Sequence, residues 1–298
     1  MRTLRFLAVM AIAAIPLLAS AQQDFSKVEI KTTTLRDGTH MLTGAGGNMV
    51  ASSGADGVFL IDDQYAPLSE KIRTALAALS DKPLRFVVNT HWHGDHTGGN
   101  ESMGNAGAVI VAHDNVRQRM SVEQFVRGSK VPPSPGAALP VVTFASGLTL
   151  HLNGDDVQVE HVAHAHTDGD ALVKFQRANV LHMGDVYFNG LYPFIDAESG
   201  GSIDGVLLAV ERGVALSDEA TIVVPGHGPV SNRDELAKYG AMLKDYRDRI
   251  AAMKSEGKTL AQATAARPTA ATDALLGKAF IKPDELVKSI YETLQAKP

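Results

Sequence analysis

The stretch Asn89–Asn100, NTHWHGDHTGGN, holds three histidines and an aspartate within six residues, next to several glycines. So many polar side chains cannot all face one apolar core, so the stretch is either a solvated loop or a site that draws them inward. His91 and His93 directly follow a run predicted to be a buried strand, where side chains two apart can point the same way. Neutral imidazole is the commonest zinc ligand, and the offset pair Asp95 and His96 leaves room for a second metal beside the first.

Three further candidate ligands follow predicted strands in the second half of the chain. His166 lies in AHAHTDGD, Asp185 ends VLHMGD, and His227 lies in TIVVPGHG. His164 competes with His166 in the first of these motifs, and the motif position favours His166. Because each of these residues lies where a predicted strand ends, we expect their side chains to lie close together at one edge of the fold.

Hydrophobic patterning predicts an α/β fold with strand–helix–strand order in each half. The predicted strands cover 58–61, 84–88, 109–111, 148–152, 157–161, 171–175, 180–183 and 221–224. The predicted helices cover 69–80, 114–120 with Asp114 as N-cap, 203–216, 234–254, 259–265 and 282–295. The Pro/Gly/Ser-rich segment 128–140 is predicted to be a lid or a binding loop. Two sheets with helices on both outer faces, an αββα sandwich, would suit this order.

Residues 1–21 match a secretory signal peptide: a basic start, an apolar run and the small residues before a cleavage site after Ala21. The alternative, a membrane anchor, is weaker because the apolar run is shorter than the ~20 residues of a spanning helix. We therefore expect a periplasmic or secreted protein in which residues 22–298 form one catalytic domain with C-terminal helices. We expect no membrane association after cleavage.

The composition further limits the partners and the metal ligands that we expect. The 298-residue chain has a net charge of −5, so it lacks the excess of positive charge that is typical of proteins that bind nucleic acid. It has no cysteine, so any metal must be held by imidazole and carboxylate groups. The expected partner is a small-molecule substrate, and the sequence leaves the oligomeric state open.

The run HWHGDH resembles the H-x-H-x-D-H signature of the metallo-β-lactamase superfamily, and HTDGD, GD and PGHG follow in that family's order across residues 35–250. The resemblance implies the αββα fold and two Zn²⁺ ions per chain. It implies that the first zinc is held by His91, His93 and His166, and the second by Asp95, His96 and His227, with Asp185 bridging. Hydroxide held by the zinc ions would attack a carbonyl, and Asp95 is also assigned a catalytic role.

The leading substrate prediction is a β-lactam ring, with lactone, ester or thioester hydrolysis as the alternative. The best-known lactamase subclass has cysteine at the position of Asp185, and a lysine at that of Phe188 that grips the substrate carboxylate. That contact would therefore come from Tyr187, Asn189, Tyr192 or backbone N–H groups. A nuclease is disfavoured by charge, and a non-catalytic zinc-binding protein by the complete ligand set.

Aromatic side chains are expected to form the apolar wall of the site: Trp92, Phe188, Tyr192 and Phe194. For Trp92 and Phe194, packing beneath the loop is an equally good interpretation. The remaining histidines are expected to be structural: His40, His113, His151, His161 and His182, the last pointing away from the site. Asp62 is either a support for the metal ligands or a simple strand-end cap.

Overall fold

The structure, a computed structural model, describes residues 24–36 and 38–294. The predicted signal peptide lies outside these residues. Among the residues that are described, none of the helices is both long and apolar enough to cross a bilayer.

The described residues form fifteen strands and nine α-helices, numbered in chain order. The strands are β1 (Lys31–Arg36), β2 (Thr39–Thr43), β3 (Met49–Gly54), β4 (Gly57–Ile61), β5 (Leu84–Val88), β6 (Val109–His113), β7 (Gln124–Val126), β8 (Ser129–Val131), β9 (Val142–Phe144), β10 (Gly147–Leu152), β11 (Asp155–His161), β12 (Ala171–Phe175), β13 (Val180–His182), β14 (Ile222–Val224) and β15 (Ser231–Asn232). The helices are α1 (Ser69–Leu79), α2 (Gly94–Thr97), α3 (Asn100–Asn105), α4 (Asp114–Met120), α5 (Ile203–Ala215), α6 (Arg233–Ser255), α7 (Leu260–Ala265), α8 (Ala270–Leu276) and α9 (Pro283–Thr293).

Two large sheets carry the architecture. The first has the order β1-β2-β3-β4-β5-β6-β9 and the second the order β10-β11-β12-β13-β14-β15, while β7 and β8 form a separate hairpin. Strands β4, β5, β6 and β9 are parallel neighbours, as are β13 and β14. Because the carboxyl ends of parallel strands meet at one edge of a sheet, the segments after β4, β5 and β6 leave the first sheet at one edge, and those after β13 and β14 leave the second sheet at one edge.

Side-chain alternation along the strands separates the apolar core into layers. On β4, Phe59 points between the two sheets, whereas its neighbour Leu60 packs against α1. On β13, Val180 points between the sheets, whereas Leu181 packs towards the helices on the other side. The sequence of layers is helix, sheet, sheet, helix, so the predicted αββα sandwich is confirmed.

The C-terminal helices pack on the outer face of the second sheet. The stripe predicted along α6 is buried there: Leu236, Tyr239, Leu243, Tyr246 and Ile250. Helix α9 adds Leu286, Val287 and Ile290 to the same apolar cluster. These helices therefore share one core with the strands that lead to Asp185 and His227.

Two local predictions were wrong. Segment 128–140 is only partly a loop, because β8 lies in it and pairs with β7 in a hairpin. The turn of this hairpin is made by Arg127 and Gly128, both at positive φ, a backbone geometry that suits tight hairpins. The N-cap of α4 is His113, not Asp114: the His113 Nδ1 accepts a hydrogen bond from the Asn115 N–H at 3.2 Å.

Replacing Leu286 with Ala tests whether α9 belongs to the main core. The Leu286 side chain is fully buried, so Leu286→Ala should lower the free energy of unfolding by about 2–5 kcal/mol, measured by urea denaturation. The control is Leu275→Ala on α8, whose side chain is 79% exposed and whose loss should cost under about 0.5 kcal/mol. Equal effects of the two changes would contradict the packing described for α9.

Candidate metal centre

The seven candidate ligands lie together at the shared edge of the two sheets. His91 and His93 follow the carboxyl end of β5, and the single-turn helix α2 begins directly afterwards with Asp95 and His96. The other three come from segments after β11, β13 and β14: His166, Asp185 and His227. Two sets of residues that are far apart in sequence thus converge on one small volume.

The first group consists of His91, His93, His166 and Asp185, and all four are buried. One potential ligand atom from each lies within 4.8 Å of the others. The His93 Nδ1 and the His166 Nε2 are 2.9 Å apart, and the Asp185 Oδ2 lies 3.9 Å from the His91 Nε2 and 3.7 Å from the His166 Nε2. This spacing is that of donor atoms arranged around one small cation.

The second group consists of Asp95, His96 and His227, again within 4.8 Å of one another. The Asp95 Oδ2 is 3.7 Å from the His96 Nε2 and 3.3 Å from the His227 Nε2. Asp185 reaches this group too, with its Oδ1 3.1 Å from the His96 Nε2 and its Oδ2 3.3 Å from the His227 Nε2. The Asp185 carboxylate therefore lies between the two groups.

Hydrogen bonds on the outer side of the imidazole rings fix which nitrogen faces inward. The His166 Nδ1 donates to the Phe194 carbonyl at 2.7 Å, and the His93 Nε2 donates to the Asp196 Oδ2 at 2.8 Å. In their neutral forms both rings consequently present lone pairs to each other across 2.9 Å. Two acceptors at that distance repel unless a cation lies beside them, so these residues fit a metal.

Buried atoms without partners support the same conclusion. Within the described residues, the His91 Nε2, the His96 Nε2 and the Asp185 Oδ1 are buried and make no hydrogen bond. A buried polar atom without a partner costs roughly 1–3 kcal/mol, and metal coordination would satisfy all three. The donor set is imidazole and carboxylate only, which suits zinc.

Asp62 supports this centre from the end of β4. Its carboxylate accepts the Thr90 N–H at 2.7 Å, the Thr90 hydroxyl at 2.8 Å and the His96 Nδ1–H at 2.8 Å. The backbone of Asp62 has a φ of 58°, an uncommon value for a residue with a side chain. Of the two interpretations open from the sequence, Asp62 thus contacts a ligand directly as well as ending its strand.

Asp196 is a second support, which sequence reasoning missed. Its Oδ2 accepts both the His93 Nε2–H at 2.8 Å and the Ser199 hydroxyl at 2.6 Å. The Ser199 hydroxyl in turn accepts the Trp92 Nε1–H at 3.1 Å. The only signal of this role in the nearby sequence is that Asp196 can cap a short turn. In the structure its side chain does so by accepting the Ser199 N–H.

The electrostatics of the candidate ligands favour a positive charge at this site. Burial lowers the pKa of His166 to about 4, so this ring is neutral at pH 7. Burial opposes ionisation of Asp95, but His96 and His227 outweigh it and lower the pKa of Asp95 to about 2. Burial also disfavours the charged form of His227, yet Asp185 and Asp95 raise its pKa to about 9. The two carboxylates thus attract positive charge to the second group.

A cavity of about 520 Å³ opens beside both groups of ligands. Six aromatic side chains line it: Tyr65, Trp92, Phe188, Tyr192, Phe194 and Phe280. Arg127, from the β7–β8 turn, lines it as well. The cavity has the size and the apolar lining of a small-molecule site.

The residues proposed from sequence for substrate contact divide into two sets. Trp92, Phe188 and Tyr192 line the cavity, whereas Tyr187 and Asn189 are not among its lining residues. The Tyr187 hydroxyl lies 2.8 Å from the Ser231 Oγ, and the Asn189 amide donates to the Pro229 carbonyl. The turn that follows Asp185 directs these two side chains away from the ligands.

The other histidines have partners elsewhere. The His182 Nε2 donates to the Asn48 carbonyl at 2.9 Å, and the His113 and His161 rings stack with centroids 3.7 Å apart. The His164 Nδ1 donates to the Gly200 carbonyl at 3.0 Å. None of these belongs to either group of ligands among the described residues.

Known proteins resemble this chain in sequence and in fold. A hydroxyacylglutathione hydrolase of Polaromonas sp. (strain JS666) is 27% identical over 172 residues, covering 56% of this chain and 57% of that protein. The alpha subunit of a 2,4-dinitroanisole O-demethylase of Nocardioides sp. (strain JS1661) is 27% identical over 145 residues, 47% of this chain and 41% of that protein. The chain thus spans about half the length of these relatives.

A metallo-beta-lactamase from Pontibacter korlensis has the same fold, with a TM-score of 0.61 and 22% identity over 73% of this chain and 100% of that one. The family model for the metallo-beta-lactamase superfamily matches residues 49–227, which is more than half of the chain. That range includes all seven residues of the two groups. The chain therefore belongs to the metallo-β-lactamase superfamily.

Proposed function

We propose that this protein is a dinuclear zinc hydrolase that cleaves the acyl C–O or C–S bond of a small ester, thioester or lactone. The observation that carries the proposal is the Asp185 carboxylate between two groups of inward-facing donor atoms, next to an apolar cavity. His91, His93 and His166 would hold one ion and Asp95, His96 and His227 the other, with Asp185 contacting both. Bound zinc supplies Lewis acidity and lowers the pKa of water to about 7.

Asp95 is the residue best suited to orient the attacking water. It lines the cavity, its side chain is 22% exposed, and its low pKa keeps it ionised at neutral pH. In this ionised form it can accept a hydrogen bond from the attacking water and so orient that water towards the reacting carbonyl. The aromatic walls exclude bulk water from the reacting carbonyl, which strengthens the electrostatic interactions inside the cavity.

Outer contacts keep the ligand rings in place for this chemistry. Asp62 orients His96, Asp196 orients His93 and the Phe194 carbonyl orients His166. Each partner fixes the tautomer that leaves a lone pair directed at the metal. Such an arrangement, open to a cavity, supports a catalytic protein over one that only binds zinc.

Ester-type substrates are preferred to β-lactams on the basis of the side chains that surround the cavity. The groups expected to grip a β-lactam carboxylate are engaged elsewhere: the Tyr192 hydroxyl, for example, lies 2.7 Å from the Thr272 Oγ1. A relative named for hydroxyacylglutathione hydrolysis also supports a thioester or ester. β-Lactam ring opening is a second candidate, because the Arg127 guanidinium lines the cavity and has N–H donors besides the one paired with Glu285.

Export is part of the proposal and rests on the pattern of residues 1–21 alone. In the periplasm or outside the cell, the enzyme would act on a diffusible small molecule. The acidic net charge supports neither nucleic acid nor an anionic surface as partner.

The substrate class is tested with a panel of esters, thioesters, lactones and β-lactams on zinc-loaded protein lacking residues 1–21. We expect turnover of esters and thioesters, slower or no turnover of β-lactams, and loss of activity after chelation that is restored by zinc. A protein that binds two zinc ions but hydrolyses no member of the panel would refute the proposed reaction.

Metal analysis tests the assignment of Asp185. Wild-type protein should bind two zinc ions and Asp185→Ala about one, because three histidines remain for the first ion, and turnover should fall at least about a hundredfold. The control is Asp156→Ala, which removes an exposed carboxylate on β11. Two tightly bound ions and full turnover in Asp185→Ala would show that this residue is not a ligand.

The role of Asp196 is tested by zinc affinity. Asp196→Asn weakens the acceptor for the His93 Nε2–H, so zinc affinity should fall about ten- to a hundredfold in chelator competition. Glu198→Gln is the matched control, since Glu198 is exposed in the same turn. If both variants bind zinc like the wild type, Asp196 does not position the ligand.

A further inference from the structure

A row of aromatic rings leads away from the candidate metal centre. The Phe194 ring stacks on His93, with centroids 5.8 Å apart and planes at 23°. Beyond it, the Phe280 ring meets Phe194 edge-on at 6.0 Å and 87°. Since both phenylalanines line the cavity, the two rings form one aromatic wall that begins at His93, a candidate metal ligand.

Phe280 comes from the segment between α8 and α9, outside the residues that match the family model. Its side chain is 59% exposed, among the most exposed large apolar side chains of the described residues. Single exposed apolar residues are common and need no explanation by themselves. This one differs because it lies on the wall of the cavity that contains Asp95 and Asp185.

Arg127, itself paired with Glu285, holds the Phe280 ring in position. The Arg127 Cζ lies 4.6 Å from its ring centroid, a cation–π distance. The Arg127 Nη2 in turn donates to the Glu285 Oε1 at 2.5 Å. The ring is thus oriented before any ligand arrives, which reduces the entropy lost on binding.

We infer that the substrate carries an aromatic ring on its acyl side, which binds against Phe194 and Phe280 while the carbonyl lies at the metal centre. The inference rests on the proposed function, because that function places the reacting carbonyl beside Asp95. An arylalkanoyl thioester or ester is the substrate class that this wall fits. A flexible linker of a few methylene groups allows the ring to reach Phe280 from the carbonyl, and ring–ring contacts favour aromatic over aliphatic groups.

Binding can be measured without turnover, because Trp92 is the only tryptophan of the chain and lines the cavity. The probe is 4-phenylbutanamide, an uncharged amide, titrated against the full-length protein while Trp92 fluorescence is recorded. Phe280→Ala should weaken binding about tenfold, the loss expected for an aromatic contact, and Phe280→Leu should restore part of it. Because Phe280 is exposed, its replacement should leave the fold intact.

The matched control is Phe125→Ala, which removes another exposed phenylalanine, 51% exposed and on the neighbouring hairpin but absent from the cavity wall. The Kd for 4-phenylbutanamide should stay within about twofold of the wild type. If Phe280→Ala binds like the wild type, if Phe125→Ala has the same effect, or if the wild type does not bind the amide, the inference is wrong.

Kinetics separates this inference from the proposed function. S-ethyl 4-phenylbutanethioate and S-ethyl thioacetate share a leaving group, so thiol release compares the acyl groups alone. Phe280→Ala should lower kcat/KM about tenfold more for the first than for the second. No hydrolysis of either thioester, with Phe280-dependent amide binding intact, would refute thioester hydrolysis but not the aromatic site. Equal effects on both thioesters would refute the aromatic site but not the hydrolase.

Discussion

The candidate metal centre depends on the repulsion between two buried nitrogen lone pairs, those of the His93 Nδ1 and the His166 Nε2. In their neutral forms, His93 and His166 each carry the ring proton on the outer nitrogen, where it is hydrogen-bonded, so their inner nitrogens are two acceptors 2.9 Å apart. A cation between the rings would relieve this repulsion. Much of the surrounding architecture, from the strained Asp62 to the turn at Asp196, holds these rings in an arrangement that is unfavourable without a cation.

The sequence predicts the fold well where periodicity is strong. The buried runs of β4 and β12 and the stripe along α6 were all foreseen, because strand and long-helix patterns are local. Strands β1 to β3 were not predicted. They pair as consecutive antiparallel hairpins, but the exposed threonines of β1 give no clear alternation of apolar and polar residues. The β7–β8 hairpin was missed because its turn depends on Arg127 at positive φ, which composition does not reveal.

The residues of the candidate site also fall into those that the sequence predicts and those that only the structure shows. His91, His93, Asp95 and His96 form one short motif, and the structure brings them together with the three predicted residues of the second half. Asp196 lies 103 positions from His93, so only the folded chain reveals their contact. Tyr187 and Asn189 are close to Asp185 along the chain and were predicted to contact the substrate. Their side chains form hydrogen bonds elsewhere instead. Which side of a turn a residue faces is set by packing.

The distribution of ligands over the two sheets has a mechanical consequence. Four come from the end of the first sheet and three from the second, so bound metal would tie the halves of the sandwich together. The chain has no cysteine and hence no disulfide. Zinc would serve as its cross-link, with a strength that rises with the concentration of free metal. Resistance to heat and to proteolysis would then follow metal supply.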